Sequence, residues 1–127
     1  MMGNPDSELP RQAYRLINET RGTIIADRIR RTENFWQRLI GLLFSNRLNP
    51  GEGLWIEPCN GIHTIGMRFP IDVVMLDRRG DVIDILRDVP PFRIIRSKQG
   101  WMGTVEVYPG DLSSDVVQIG DRLRLAE

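Results

Sequence analysis

One short stretch of this chain holds most of the side chains able to bind a ligand or do chemistry. Pro58-Cys59-Asn60-Gly61-Ile62-His63-Thr64-Ile65-Gly66-Met67-Arg68-Phe69-Pro70-Ile71-Asp72 contains the single cysteine and the single histidine, with a methionine, an arginine and an acid beside them. Cys59, His63 and Met67 fall at intervals of four, and a turn can bring such residues to one point. Thiolate, imidazole and thioether together favour Cu(I) over harder ions. A blue-copper centre needs a second histidine that this chain lacks, so a three-coordinate Cu(I) site is the form that survives. One His and one Cys do not complete a closed zinc tetrahedron without carboxylates from distant strands, and no metal or cofactor is expected. A second chemistry is nucleophilic. Cys59 with His63 as base would need a depressed thiol pKa, a base within hydrogen-bond reach and an orienting acid, for which Asp72 is nearest. A Gly-x-Cys elbow leading into a helix is absent.

Each of these residues also has a structural reading. Cys59 is a small side chain that packs readily, and Met67 fills core space. Ideal alternation puts Asp72 on one face with Val74 and Leu76, where a carboxylate must find donors or shift its pKa upward. The leading account gives it backbone amides of the Ile62–Met67 loop, or Thr64; the other makes it the polar base of a pocket. His63 lies between Gly61 and Gly66. An imidazole fixed beside Asp72 would donate one ring N–H to it, turn the other nitrogen outward and have its pKa raised. The candidate ligand-binding set is therefore His63, Thr64, Arg68, Asp72 and Cys59. Elsewhere, Glu106 is expected on the solvent face. The clusters Arg28, Arg30, Arg31 and Arg93, Arg96 read as solvated surface, and Trp101-Met102 as an apolar pair folded over a sheet edge.

The elements that must position this stretch are mostly strands. Tyr14–Ile17 and Thr23–Ala26 flank a turn containing Gly22. Leu54–Ile56, Phe92–Ile95, Thr104–Tyr108 and Arg122–Leu125 are short runs closed off by glycine or proline. Ile71–Leu76 and Val82–Leu86 flank Asp77-Arg78-Arg79-Gly80, a hairpin with Gly80 available for positive φ. One helical period appears, with Phe35, Leu39, Leu42 and Leu43 on a stripe, Thr32 as N-cap and Glu33 at the positive end of the dipole. These features predict a mainly β, single-domain antiparallel β-sandwich or barrel-like fold with one covering α-helix at about 33–44. Residues 1–13 read as a flexible N-terminal leader and 14–127 as the domain.

Composition narrows the classes further. The chain has 127 residues, 41% hydrophobic and 27% charged, with seventeen basic residues balanced by seventeen acidic ones. A net charge of zero removes the usual electrostatic footprint of a nucleic-acid or anionic-membrane binder. No apolar run reaches the roughly 20 residues of a membrane-spanning helix, and Met1–Pro10 lacks the apolar stretch of a signal peptide. A soluble, cytoplasmic monomer is expected, without a nucleic-acid or membrane partner.

With Arg38-Leu39-Ile40-Gly41-Leu42-Leu43 upstream, Ile71-Asp72-Val73-Val74-Met75-Leu76-Asp77 downstream and Gly120-Asp121 near the end, the Ile62–Asp72 stretch resembles domain-of-unknown-function family 192. The resemblance runs from about Tyr14 to Leu125. It implies a small prokaryotic protein with a compact, mainly β domain, and no established activity, substrate or catalytic residue. A common branch of that family has Trp-Met-Lys-Asn-Thr where this chain has His63-Thr64-Ile65-Gly66-Met67, so a role needing His63 and Met67 would belong to this branch alone. The leading functional expectation is a non-enzymatic module binding a small molecule or peptide-like group around residues 59–72. The second is a small hydrolase- or transferase-type enzyme using His63 with Asp72 or Cys59. A Cu(I)-binding protein through Cys59, His63 and Met67 is third.

Overall fold

Apolar side chains alternate along the strands so that most of them have a buried face, and several are buried on both. The computed structural model describes residues 12–32, 48–96 and 98–127. Its strands are β1 (Tyr14–Asn18), β2 (Thr23–Thr32), β3 (Glu52–Ile56), β4 (Ile62–His63), β5 (Ile71–Leu76), β6 (Val82–Val89), β7 (Ile94–Ile95), β8 (Gly103–Val107) and β9 (Leu123–Ala126). Seven form one sheet in the order β6-β5-β8-β3-β2-β1-β9, while β4 and β7 make a separate two-stranded ribbon.

Two features depart from the antiparallel sandwich or barrel expected. The sheet is mixed, because β2 and β3 run parallel, with Ile29 opposite Gly53 and Thr32 opposite Ile56. A parallel pair needs a crossover of a dozen or more residues, and the chain between Thr32 and Glu52 supplies that length. The sheet is also open. Among the described residues its two edges approach through an isolated bridge between Asp81 and Arg122, just ahead of β6 and β9. Thr32, expected as a helix N-cap, is the last residue of β2; the helix expected at about 33–44 lies outside the described residues.

The β5–β6 hairpin forms as the turn residues require. Asp77 N–H donates to the Asp81 carbonyl at 2.9 Å, and Gly80 takes φ 88°. Asp77 Oδ1 also accepts from Arg79 N and Asp81 N, an Asx-type cap that stiffens the turn.

Alternation splits the core into two. On one face Val74 and Leu76 of β5, Val105 and Val107 of β8, and Trp55 of β3 join Leu16, Ile29 and Leu123. On the other, Ile71, Val73 and Met75 of β5 meet Leu54 and Ile56 of β3, with Ile62, Met67, Phe69 and Trp101 over them. Strand β5 is therefore buried along its whole length. Glu106 was expected in solvent and is instead fully buried. The register is the reason: Leu54 and Val73 lie directly across from it on both neighbouring strands, which places it among the second cluster. Trp101 is also inside, its indole N–H shared between the Gly103 carbonyl at 3.0 Å and Thr104 Oγ1 at 2.8 Å.

The Gly120-Asp121 pair has a structural use. Asp121 accepts from Asn18 Nδ2 at 2.8 Å, Arg21 Nε at 2.7 Å and Gln118 N at 2.9 Å, tying the β1–β2 turn to the approach to β9. Burial works against its charge, but the hydrogen bonds from Arg21, Asn18 and the Gln118 amide outweigh burial and hold the carboxyl below its ordinary value. A depressed folded pKa contributes stability that is present above the unfolded value and is lost as pH falls through the folded one. Thermal unfolding should thus show a loss of stability below about pH 4, near the unfolded Asp value. Asp121→Asn should flatten that acid limb; an unchanged slope in the variant would exclude this carboxylate as its source.

Candidate functional site

The flagged segment folds into β4 and the loops around it, and two of its buried polar side chains fix a neighbouring segment in place. Thr64 is fully buried. Its Oγ1 donates to the Pro90 carbonyl at 2.7 Å and accepts from Arg93 N at 2.8 Å. Its backbone adds three more bonds: Thr64 N–H to the Arg93 carbonyl, and Phe92 N–H and Met67 N–H to the Thr64 carbonyl. Asp72 accepts from Asp88 N at 2.7 Å with one oxygen and from Gly110 N at 3.0 Å with the other. The expectation that Asp72 binds backbone amides holds, but the amides belong to the β6 bulge and the turn after β8, not to the Ile62–Met67 loop or Thr64. Proximity in sequence suggested the loop; the sheet places β6 and β8 on either side of β5.

These bonds hold two strained residues. Asp88 and Phe92 have φ of 56° and 65°, the left-handed region that side chains other than glycine rarely enter. Each such residue costs on the order of 1–3 kcal/mol and persists only where its surroundings over-determine it. Here the anchors are Asp72 for Asp88 N and Thr64 for Phe92 N. The result is an outward-facing apolar patch. Phe92 is 69% exposed and Ile94 64%, with Ile65 half-exposed on the facing loop. His63 is part-buried on β4, directly across the ribbon from Ile94. Arg68 is exposed, four residues before Asp72. The strand expected over Phe92–Ile95 is confined to Ile94–Ile95, because the left-handed backbone at Phe92 precludes regular pairing there. Nothing local said that Phe92 and Ile94 stay in solvent.

The remaining candidates separate. Cys59 is part-buried, and its Sγ lies 3.3 Å from the Gly61 carbonyl as donor. Met67 is buried in the second core cluster. Both Asp72 oxygens accept from backbone amides, and the Cys59 thiol is directed to the Gly61 carbonyl of its own loop. Among the described residues, no group of three or more His, Cys, Asp and Glu is placed to hold a metal ion. No described helix is long and apolar enough to cross a membrane.

Asp72 also borders a second feature. By holding Gly110 it fixes the Tyr108-Pro109 wall of a cleft of about 430 Å³, whose other sides are Leu48, Pro50, Phe69 and Pro70.

Comparison with known proteins agrees with this architecture. The chain is 30% identical over 113 residues to a UPF0127 protein of Pyrococcus furiosus, covering 85% of this chain and 95% of that one. A UPF0127 protein of Thermococcus sibiricus is 29% identical over 113 residues, covering 85% of this chain and 72% of that protein. Two solved structures share the fold. A Sinorhizobium meliloti chain described as a candidate transcription regulator superposes with a TM-score of 0.72 at 21% identity, covering 91% of this chain and 98% of that one. A protein of unknown function from Novosphingobium aromaticivorans gives 0.71 at 17% identity, covering 87% and 83%. The model of the DUF192 family, described as an uncharacterized ACR, matches residues 16–125, and the chain belongs to that family.

Proposed function

We propose that this chain is a non-enzymatic recognition module that takes a peptide-like segment, apolar and acidic in character, on the surface formed by His63, Ile65, Phe92 and Ile94. The observation that carries the reading is Phe92, a largely exposed aromatic kept in a left-handed backbone conformation by Thr64. Strain of that kind is maintained where a side chain must be presented in a fixed direction. Exposed aromatics ringed by polar groups are the usual anchors of an interface.

Charge supports an acidic occupant. Residues 58–71 and 89–101 contain no Asp or Glu, while Arg68, Arg93 and Arg96 lie within them. These two segments are basic although the chain as a whole is neutral. The enzymatic reading has less behind it, since it depends on His63 pairing with Asp72 or Cys59.

A random-peptide display selection against the folded protein tests this, with NMR titration of a selected peptide. Selected sequences should pair hydrophobic residues with Asp or Glu. Phe92→Ser/Ile94→Ser should weaken binding at least tenfold while leaving the fold intact, because both side chains are in solvent. Thr64→Val should cost about 2 kcal/mol of stability by leaving Arg93 N–H without its buried acceptor, and should also weaken the peptide. Equal binding by the Phe92→Ser/Ile94→Ser protein would overturn the proposal.

A further inference from the structure

At one end of the open sheet, where the β5–β6 turn approaches β9, a cleft of about 250 Å³ collects arginines. Arg31 of β2, Arg78 and Arg79 of the β5–β6 turn and Arg124 of β9 line it, together with Trp55 and the adjoining Glu57. The turn is held rigidly over this space. Leu123 N–H donates to the Gly80 carbonyl at 2.9 Å, Asp77 Oδ1 caps the turn, and Asp81 accepts both Nε and Nη2 of Arg122 at 2.7 and 3.1 Å. Gly80 cannot be replaced without displacing this turn, because a Cβ there would stand 2.6 Å from the Leu123 carbonyl oxygen.

The charges in the cleft do not balance. Arg124 is paired with Glu19 at 2.7 Å. Among the described residues Arg31, Arg78 and Arg79 form no salt bridge, Arg79 acting on Asp81 only through space, and the only carboxylate lining the cleft, that of Glu57, accepts the Trp55 indole N–H at 3.3 Å. The cleft therefore keeps an excess of two positive charges in a protein whose total is zero. Like charges left this close are unfavourable unless an anion joins them. A guanidinium presents a fork of N–H donors that matches phosphate oxygens. A tetrahedral dianion carries more charge and more acceptor oxygens than a carboxylate, so it suits a cleft lined by several guanidinium groups.

We propose that this cleft is a binding site for a small phosphate-class dianion, either inorganic phosphate or the phosphate group of a monoester. It is separate from the Phe92 surface and does not depend on the reading given for that surface. The Trp55 indole N–H and the Gly80 amide report on it. In an NMR titration at constant ionic strength, inorganic phosphate should shift both resonances saturably, and chloride should not. A monoester that binds more tightly than inorganic phosphate would identify the ester as the source; equal affinity would identify the free anion. Arg31→Ala/Arg79→Ala should weaken phosphate at least tenfold, while Arg93→Ala/Arg96→Ala should leave it within twofold. Linear shifts equal to those of chloride, or retained affinity in the Arg31→Ala/Arg79→Ala protein, would overturn the assignment. A single-stranded oligonucleotide that binds far more tightly than any small phosphate, through the same arginines, would replace it with a nucleic-acid site.

Discussion

Gly53→Ala is expected to destabilise the protein by about 3 kcal/mol or more, a melting-temperature drop on the order of 10 °C for a domain of this size. Gly53 sits in β3 between β2 and β8, opposite Ile29 on one side and Val107 on the other. A Cβ there would collide with the Glu106 carbonyl oxygen and would lie 2.9 Å from Val107 Cγ1 and 3.1 Å from Ile29 Cδ1. The first neighbour is backbone, so relief requires β3 and β8 to separate and their ladder to distort. Gly61→Ala is the control, since its nearest neighbour, the Ile95 carbonyl oxygen, stands at 3.5 Å, an ordinary contact. That change should stay within about 0.5 kcal/mol. Matching melting temperatures for the two variants would show that the β3–β8 approach is not as close as described.

Asp72→Ala should cost about 2–5 kcal/mol. The residue is 2% exposed, and its loss leaves the part-buried Asp88 and Gly110 amides without their acceptor, each bond worth about 1–3 kcal/mol. Asp88 would also lose the bond that holds its positive φ. Asp72→Asn keeps one acceptor oxygen but sets an NH2 group against the other amide, so it should fall between wild type and alanine. Chemical denaturation of the three proteins gives the order directly. If Asn is as destabilising as Ala, the two-amide account fails; if Ala is neutral, the carboxylate is not structural.

These effects also show how far the sequence could be read. The β1–β2 and β5–β6 hairpins were legible because their information is local: alternating apolar residues around a turn with glycine where φ is positive. The stretch 59–72 was recognisable because it gathers the unusual side chains. Its internal arrangement was not. His63, Asp72 and Cys59 are neighbours in the sequence, yet Asp72 bonds β6 and the turn after β8, and Cys59 bonds its own loop. The exposed patch at Phe92 and Ile94 was legible only as part of a short apolar run, because hydrophobicity does not say which side chains find a partner.

By itself, then, the sequence determined the strand-rich class, the positions of most strands, the turn at Asp77–Gly80 and the demand that Asp72 find donors. Each of these follows from a period of two, from a backbone conformation or from the cost of burying a charge, all of which act over a few residues. Tertiary structure alone decided that β2 runs parallel to β3, that Glu106 is buried opposite Leu54 and Val73, and that Arg31, Arg78 and Arg79 line one cleft. Those outcomes depend on which distant strands become neighbours and in what register. A shift of one residue in that register would turn Glu106 to the opposite face, and no local pattern encodes it.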